Sequence, residues 1–335
     1  VKIAFFDTDN YEKEYFVKHL KSCGELSFFP NPVSEVEVEK LKDHQIFSGF
    51  VYSKFPKDLI AKFPTLKLIS TQSTGYDHID IEYCKQNNIQ VCNVPEYGSS
   101  TVAEHAFALI LALAKNLPKS IERVKEGVFS PEGLTGIDLK GKTLGVVGTG
   151  KIGVNVIKIA KGFGMTVIAY DPFPKKDLEK FLGFNYQSLE TVLINSDIVT
   201  LHCPYSEKTK HLINSANIGL LKPHCLIINT ARGALIETQA LYNALIENKI
   251  GGAGLDVLEE EGFLQEEREL LCKGTTCKEN VVTAYQNNVL LKLQDVIVTP
   301  HNAFNSKEAL ERILATTVDN ILAFQSGHPI NSVLQ

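Results

Sequence analysis

The stretch TLGVVGTGKIGVNVIKIAKGFGMTVIAYD, residues 143–171, decides the fold. It opens with an apolar run, Thr143 to Val147, turns through Gly148-Thr-Gly-Lys-Ile-Gly153, continues as a helical pattern from Val154 to Phe163, and ends in a second strand-like run, Thr166 to Tyr170. A GxGxxG hexapeptide is a weak signal alone, but between a strand and a helix its glycines have separate duties. Gly148 permits the tight turn, Gly150 lets the backbone approach a pyrophosphate, and Gly153 lets helix and strand pack closely. The N–H groups at the helix start then face an anion. Asp171 stands 23 residues after Gly148, at the end of the next strand. A carboxylate there accepts hydrogen bonds from ribose hydroxyls and repels a 2′-phosphate, which favours NAD over NADP.

Working outward, the same alternation continues to residue 299. Strands are expected at Thr143–Val147, Thr166–Tyr170, Ile198–His202, Cys225–Asn229, Gly252–Asp256 and Val296–Thr299, with helices between, which matches a doubly wound nucleotide domain of six parallel strands. A first βα series precedes it, with strands at Lys2–Phe6, Ile46–Tyr52, Leu68–Ser70 and Ile89–Cys92. Between the two series, Ser99–Asn116 reads as one long buried helix, capped by Ser99 or Ser100 and closed by Pro118. The last helix, Ser306–Phe324, lies beyond the sixth strand and is free to return to the first domain, making that domain discontinuous. Residues 259–295 form a charged insertion that is expected to carry short helices of its own.

Composition bounds the rest. At 335 residues the chain exceeds the ~250 to 300 at which single cores stop growing, so two domains are expected. With 34 Lys+Arg against 39 Asp+Glu the net charge is −5, and no cluster of five or more basic residues occurs, which argues against nucleic acid. The longest apolar run, Ala106–Ala114, is about half the length a bilayer requires, so no membrane span is expected. The opening residue is a valine, which suggests processing, and Val1–Asp7 has no signal-peptide pattern. Seven cysteines form no CxxC pair; Cys272 and Cys277 read as free thiols, no metal is expected, and reduced thiols point to a cytoplasmic chain.

Three further segments fall at strand ends, where ligands collect in open α/β sheets: Asn229-Thr-Ala-Arg-Gly233, Asp256-Val-Leu-Glu-Glu-Glu261 and Thr299-Pro-His-Asn302. Together they offer a guanidinium, carboxylates and an imidazole. Hydride transfer to a 2-keto acid needs a cation for the substrate carboxylate, an acid for the developing alkoxide, and a carboxylate to keep that acid charged. Arg232, His301 and Glu261 suit those roles.

The ordered set GTGKIG, YDP, LHCPY, NTARG, GGAGLDV and TPH resembles the D-isomer-specific 2-hydroxyacid dehydrogenase family over nearly the whole chain. Val94-Pro-Glu-Tyr97 followed by Val102-Ala-Glu-His105 is most similar to its NAD-dependent D-lactate dehydrogenase branch. The resemblance implies two doubly wound parallel-sheet domains. A Rossmann domain, residues 98–300, would be inserted into a flavodoxin-like substrate domain, residues 1–97 plus 301–335, with the active site in the cleft and a homodimer formed through the nucleotide domains.

Carried over by position, the resemblance assigns Arg232 to the substrate carboxylate and carbonyl oxygen, His301 to acid/base work and Glu261, five residues after Asp256, to its support. Asp256 would meet the nicotinamide carboxamide, and Lys151, Ile152, Cys203, Pro204, Thr209, Thr230 and Ala231 would line the NAD groove. The backbone of Thr74 and Gly75 would bind the substrate carboxylate. Their loop contains no Arg or Lys, which disfavours a phosphorylated substrate. Tyr97 and Phe304 would close a methyl-sized pocket, suggesting pyruvate, with larger 2-keto acids or glyoxylate as alternatives. An NAD-sensing, corepressor-like binding protein is the competing class. Glu104 and His105 read as a structural polar pair within the buried helix.

Overall fold

A computed structural model describes residues 1–259 and 278–334. The chain divides into two compact units, one of residues 1–97 with 305–335, the other of residues 98–304.

The smaller unit is built on a five-stranded sheet. Its strands are β1 (Lys2–Phe5), β2 (Glu25–Phe28), β3 (Ile46–Gly49), β4 (Leu68–Thr71) and β5 (Gln90–Cys92), ordered β2-β1-β3-β4-β5 and parallel throughout. This is the flavodoxin-like order. Strand side chains alternate between two cores: Ala4, Phe47, Ile69 and Val91 enter one, while Ile3, Phe5, Ile46, Leu68 and Cys92 enter the other. Both faces are therefore covered, as a parallel sheet demands. The C-terminal helix Lys307–Gln325, capped by the Ser306 hydroxyl, supplies Leu314, Val318 and Ile321 to the second core. Strand β2, Glu-Leu-Ser-Phe, is absent from the sequence reading: an edge strand with no fully buried residue carries little apolar signal.

The larger unit holds seven parallel strands: β6 (Thr143–Val147), β7 (Thr166–Tyr170), β8 (Asn185–Tyr186), β9 (Ile198–Leu201), β10 (Leu226–Asn229), β11 (Gly252–Leu255) and β12 (Val296–Val298). Their order is β12-β11-β10-β9-β6-β7-β8. The seventh strand is β8, a two-residue edge too short to register as a pattern. Here too neighbours along a strand part company: Leu144, Val146 and Ile228 join the core beneath helix Ser99–Ala114, whereas Val147, Val199 and Ile227 join the opposite one.

Helix Ser99–Ala114 corrects two expectations. Its cap is Gly98, whose carbonyl accepts from the Val102 N–H at 2.8 Å, so Ser99 and Ser100 already lie inside the helix. Pro118 does not close it either. Asn116 turns the chain through a left-handed conformation (φ 51°), and Pro118 lies in the first turn of a new helix, Leu117–Lys125, where a missing N–H costs nothing. The nucleotide-side helix starts at Lys151, three residues before its apolar pattern begins. The return to the smaller unit comes at residue 305 rather than 301, because the Asn302 and Ala303 N–H groups are held by Asp256 in the larger unit. Part of the charged insertion is the helix Lys278–Leu290; Cys272 and Cys277 lie outside the described residues.

Candidate active site

All strands of the larger sheet run the same way, so their carboxyl ends share one edge. Strand succession passes from β6 outward to β7 and β8, then restarts at β9 on the other side of β6. That reversal opens a crevice above the β6/β9 boundary, where open α/β sheets place nucleotides.

The glycine turn fits a dinucleotide. Gly148 adopts φ +95°, and a Cβ there would lie 2.8 Å from the Cys203 nitrogen and His202 carbonyl, so only glycine lets the turn rest on the strand β9 exit. A Cβ on Gly153 would sit 2.1 Å from the Gly148 oxygen, whereas one on Gly150 meets nothing within 4 Å. Gly150 thus borders open space at the start of helix Lys151–Gly162, whose first N–H groups have no intrahelical acceptors. Asp171 is held ready beside it. One carboxylate oxygen accepts from the Thr149 N–H (2.8 Å) and hydroxyl (2.9 Å), and the other from the Phe173 N–H (2.9 Å). Because the Thr149 proton is committed to Asp171, the Tyr186 hydroxyl 2.8 Å away must donate to Thr149. These residues would hold NAD, with Asp171 retaining lone pairs for a ribose.

Around this turn, Ile152 is half-buried against the core and Lys151 is exposed. Thr209 closes the loop after β9, its hydroxyl donating to the Pro204 carbonyl at 2.8 Å. Burial pushes the Cys203 thiol up to about 11, so it stays protonated. Thr230 is buried.

His202, immediately before Cys203, is buried with its Nε2 2.8 Å from the Thr200 hydroxyl, and burial drives its pKa down to about 3. The unfolded chain takes up this proton near 6.5 and the folded chain only near 3. Between those values the unfolded state binds more protons, so stability declines as pH falls through the window and is fully regained above 6.5. Denaturant titrations from pH 7 to 4 should show this slope, up to roughly 1.4 kcal/mol per pH unit, reduced in His202→Asn. Equal slopes in the two proteins would contradict the assignment.

Three loops at neighbouring strand ends hold the other candidate residues. After β10, the Asn229 side chain donates to the Arg232 carbonyl (2.9 Å) and accepts from the Ala231 N–H (3.0 Å), bracing the turn. Gly233 lies so close to residues 258 and 259 that a Cβ would be 2.0 Å from the Leu258 carbonyl carbon. The Arg232 Nη1 donates to the Ala231 carbonyl at 2.8 Å. After β11, the Asp256 carboxylate is buried and accepts from the Thr299 hydroxyl (2.5 Å) and the N–H groups of Asn302 (3.0 Å) and Ala303 (2.9 Å). The loop after β12 thus wraps around this carboxylate. At its apex stands His301, in the left-handed region (φ 51°) with its N–H on the Thr299 carbonyl at 2.9 Å. Phe304 is half-buried near Gly98.

Glu261 lies outside the described residues. Its neighbour Glu259 is committed elsewhere: its carboxylate accepts from His211 Nε2 (2.6 Å) and from the hydroxyl and N–H of Thr238 (2.8 and 3.3 Å). Burial would raise its pKa, but these hydrogen bonds outweigh burial and hold it below the usual carboxylate range. Glu104 and His105 do not pair with each other. Glu104 is exposed, and His105 reaches Thr299 and Asp256, a connection that one imidazole in an apolar helix hinted at without naming the partner.

In the smaller unit, Thr74 and Gly75 follow β4 in a braced loop. The Ser73 hydroxyl donates to the Gly75 carbonyl (2.6 Å), the Thr74 hydroxyl to the Val94 carbonyl (2.7 Å), and the Asn93 amide to the Thr74 carbonyl (2.8 Å). The backbone N–H groups of Thr74 and Gly75 have no acceptor among the described residues. Tyr97, half-buried, lends its carbonyl to Arg312 Nε at 2.7 Å.

Among the described residues no helix is long and apolar enough to cross a membrane. Residues 107–303 match the family model described as D-isomer specific 2-hydroxyacid dehydrogenase, NAD binding domain. The D-lactate dehydrogenase of Escherichia coli is 35% identical over 333 residues, covering 98% of each chain. The glyoxylate reductase of Thermococcus litoralis is 35% identical over 321 residues, covering 93% of this chain and 90% of its own. The D-lactate dehydrogenase of Aquifex aeolicus, solved with NAD and lactic acid, matches with a TM-score of 0.90 at 38% identity over 99% of both chains. A glycine turn and aspartate fitted to NAD, an ordered series of strand-end motifs and relatives aligned from end to end lead to one conclusion: the chain belongs to the D-isomer specific 2-hydroxyacid dehydrogenase family, oxidoreductases that use NAD.

Proposed function

We propose that this protein is an NAD-dependent D-lactate dehydrogenase interconverting pyruvate and D-lactate. The observation that carries the reading is the loop after β12, which presents His301 at the strand-end edge that also holds Arg232 and the glycine turn. NADH supplies the hydride. Arg232 orients the keto acid through its carboxylate and carbonyl oxygen. His301, as imidazolium, passes its proton to the carbonyl oxygen as the alcohol forms, and takes it back in the reverse direction. Glu261 is the carboxylate assigned to assist His301 in this reading. Lys151, Ile152, Cys203, Pro204, Thr209, Thr230 and Ala231 border the cofactor, whereas Asp256, buried and taken up by Thr299, Asn302 and Ala303, is better suited to anchoring the loop than to meeting the carboxamide.

Loop 72–78 bears no Arg or Lys, which favours a substrate with an uncharged tail. Glyoxylate and longer 2-keto acids are the neighbouring readings, the first favoured by the Thermococcus litoralis relative. NADH oxidation measured with glyoxylate, pyruvate and its homologues, with chiral analysis of the product, tests the proposal. Pyruvate should give the highest kcat/KM and D-lactate the product. A preference for glyoxylate or a branched acid would replace the substrate, and no turnover with any of them would favour an NAD-sensing binding protein.

A homodimer formed through the larger unit completes the proposal. Helix Leu117–Lys125 buries no residue of its own chain, yet Leu117, Ile121 and Val124 share one exposed face, continued by Val128 and Phe129. Light scattering should find a dimer, converted to monomer by Ile121→Glu with Val124→Glu. A parent of monomer mass would remove this part.

A further inference from the structure

The family reading gives no task to His105, on the helix Ser99–Ala114. We propose that His105 is a positioning residue for the His301 loop, acting through the Thr299 hydroxyl and the Asp256 carboxylate. The inference rests on the dehydrogenase reading for its consequence in turnover, but its geometry stands apart from it.

Hydrogen-bond directions follow from donor inventory. A carboxylate only accepts, so the single Thr299 hydroxyl proton, 2.5 Å from Asp256 Oδ1, is committed there. Toward His105 Nε2, 3.0 Å away, the Thr299 oxygen can then only accept. His105 Nε2 must therefore carry hydrogen and donate, with Asp256 Oδ1 itself 3.5 Å from the same nitrogen. The result is a directed chain, His105 to Thr299 to Asp256, ending on the carboxylate that grips the Asn302 and Ala303 N–H groups.

The chain matters because of what it restrains. His301 occupies a left-handed backbone conformation that a side chain with a Cβ disfavours, so the turn persists only while its surroundings hold it. The buried Asp256 carboxylate grips it through the Asn302 and Ala303 N–H groups, and the Thr299 hydroxyl helps to orient that carboxylate. Without the His105 donor, the Thr299 hydroxyl keeps only its bond to Asp256 among the described residues, and its oxygen loses the partner that helps to fix its rotamer. An error of about 1 Å at an acid/base group costs on the order of 10²-fold in rate.

The test compares His105→Leu, which removes the donor, with His105→Gln, whose amide N–H restores it, in the full-length protein. Amide hydrogen exchange of Asn302 and Ala303, referenced to the buried strand residue Ile228, should accelerate about tenfold or more in His105→Leu and stay within about threefold of the parent in His105→Gln. In the same proteins kcat should fall roughly 10- to 100-fold for Leu, with KM for the keto acid and NADH affinity within twofold, and Gln should recover most of it. Thr299→Val breaks the same chain and should reproduce His105→Leu, while the double variant should be no worse than the poorer single. If His105→Leu does not fold, Thr299→Val against Thr299→Ser supplies the same comparison. Unchanged exchange in Leu, a Gln variant as impaired as Leu, or additive losses in the double variant would overturn the proposal. A parent inactive on every keto and hydroxy acid would instead overturn the dehydrogenase reading, leaving the exchange measurements to judge the chain.

Discussion

His301→Gln should lose about 10²- to 10⁴-fold of kcat in both directions, the usual contribution of a placed acid/base group, while still binding NADH. Gln keeps a similar length and can donate a hydrogen bond, but it cannot release a proton to the carbonyl oxygen and regain one from the alcohol. The grip of Asp256 on the Asn302 and Ala303 N–H groups does not use the imidazole, so the backbone turn at position 301 should survive the change. Fluorescence titration of NADH beside steady-state rates in both directions makes the measurement, and a purified variant with near-parental turnover would remove His301 from its role.

Arg232→Lys should lower kcat/KM for the keto acid by about 10²- to 10³-fold, most of it as a higher KM and the rest in kcat. A guanidinium presents two parallel donors to a carboxylate or to a carboxylate and its neighbouring carbonyl, and an ammonium cannot reproduce that fork. Losing charge-assisted hydrogen bonds worth about 1.5–3 kcal/mol each gives a loss of this order. The backbone of Arg232 is braced by Asn229, and Gly233 is packed against residues 258 and 259, so the shorter side chain cannot be followed by a shift of the loop. Binding lost before the transition state appears in KM, and misplacement of the carbonyl appears in kcat. Initial rates over a wide keto-acid range separate the two, and a change confined within twofold would place the substrate cation elsewhere.

Much of the architecture is legible in residues 143–171, because each glycine there answers a local demand: a positive φ at Gly148, a close helix approach at Gly153, open space at Gly150. Strands with two buried faces were equally plain, since runs such as Leu226–Asn229 are apolar at nearly every position. The missed pieces share a cause. Strands β2 and β8 are edges, and the helix Leu117–Lys125 buries nothing within its own chain, so neither kind writes a core-facing pattern into the sequence. At the site, the glycine turn and Asp171 are named by spacing alone, whereas the assignment of Glu261 among three adjacent acids is not. The structure commits Glu259 to His211 and Thr238, which removes it from contention.

By itself, the amino-acid sequence determined the parallel α/β class, the place of the dinucleotide turn, the preference for a carboxylate at the ribose end and the family, because those depend on periodicity and spacing within a few tens of residues. Tertiary structure alone decided that Asp256 is a buried anchor gripping the His301 loop and that His105, 194 positions from Thr299, stands at the head of that hydrogen-bond chain. The physical reason is that a hydrogen bond is specified by about 3 Å of distance and by which atom owns the proton, and neither is written in the order of residues along a chain.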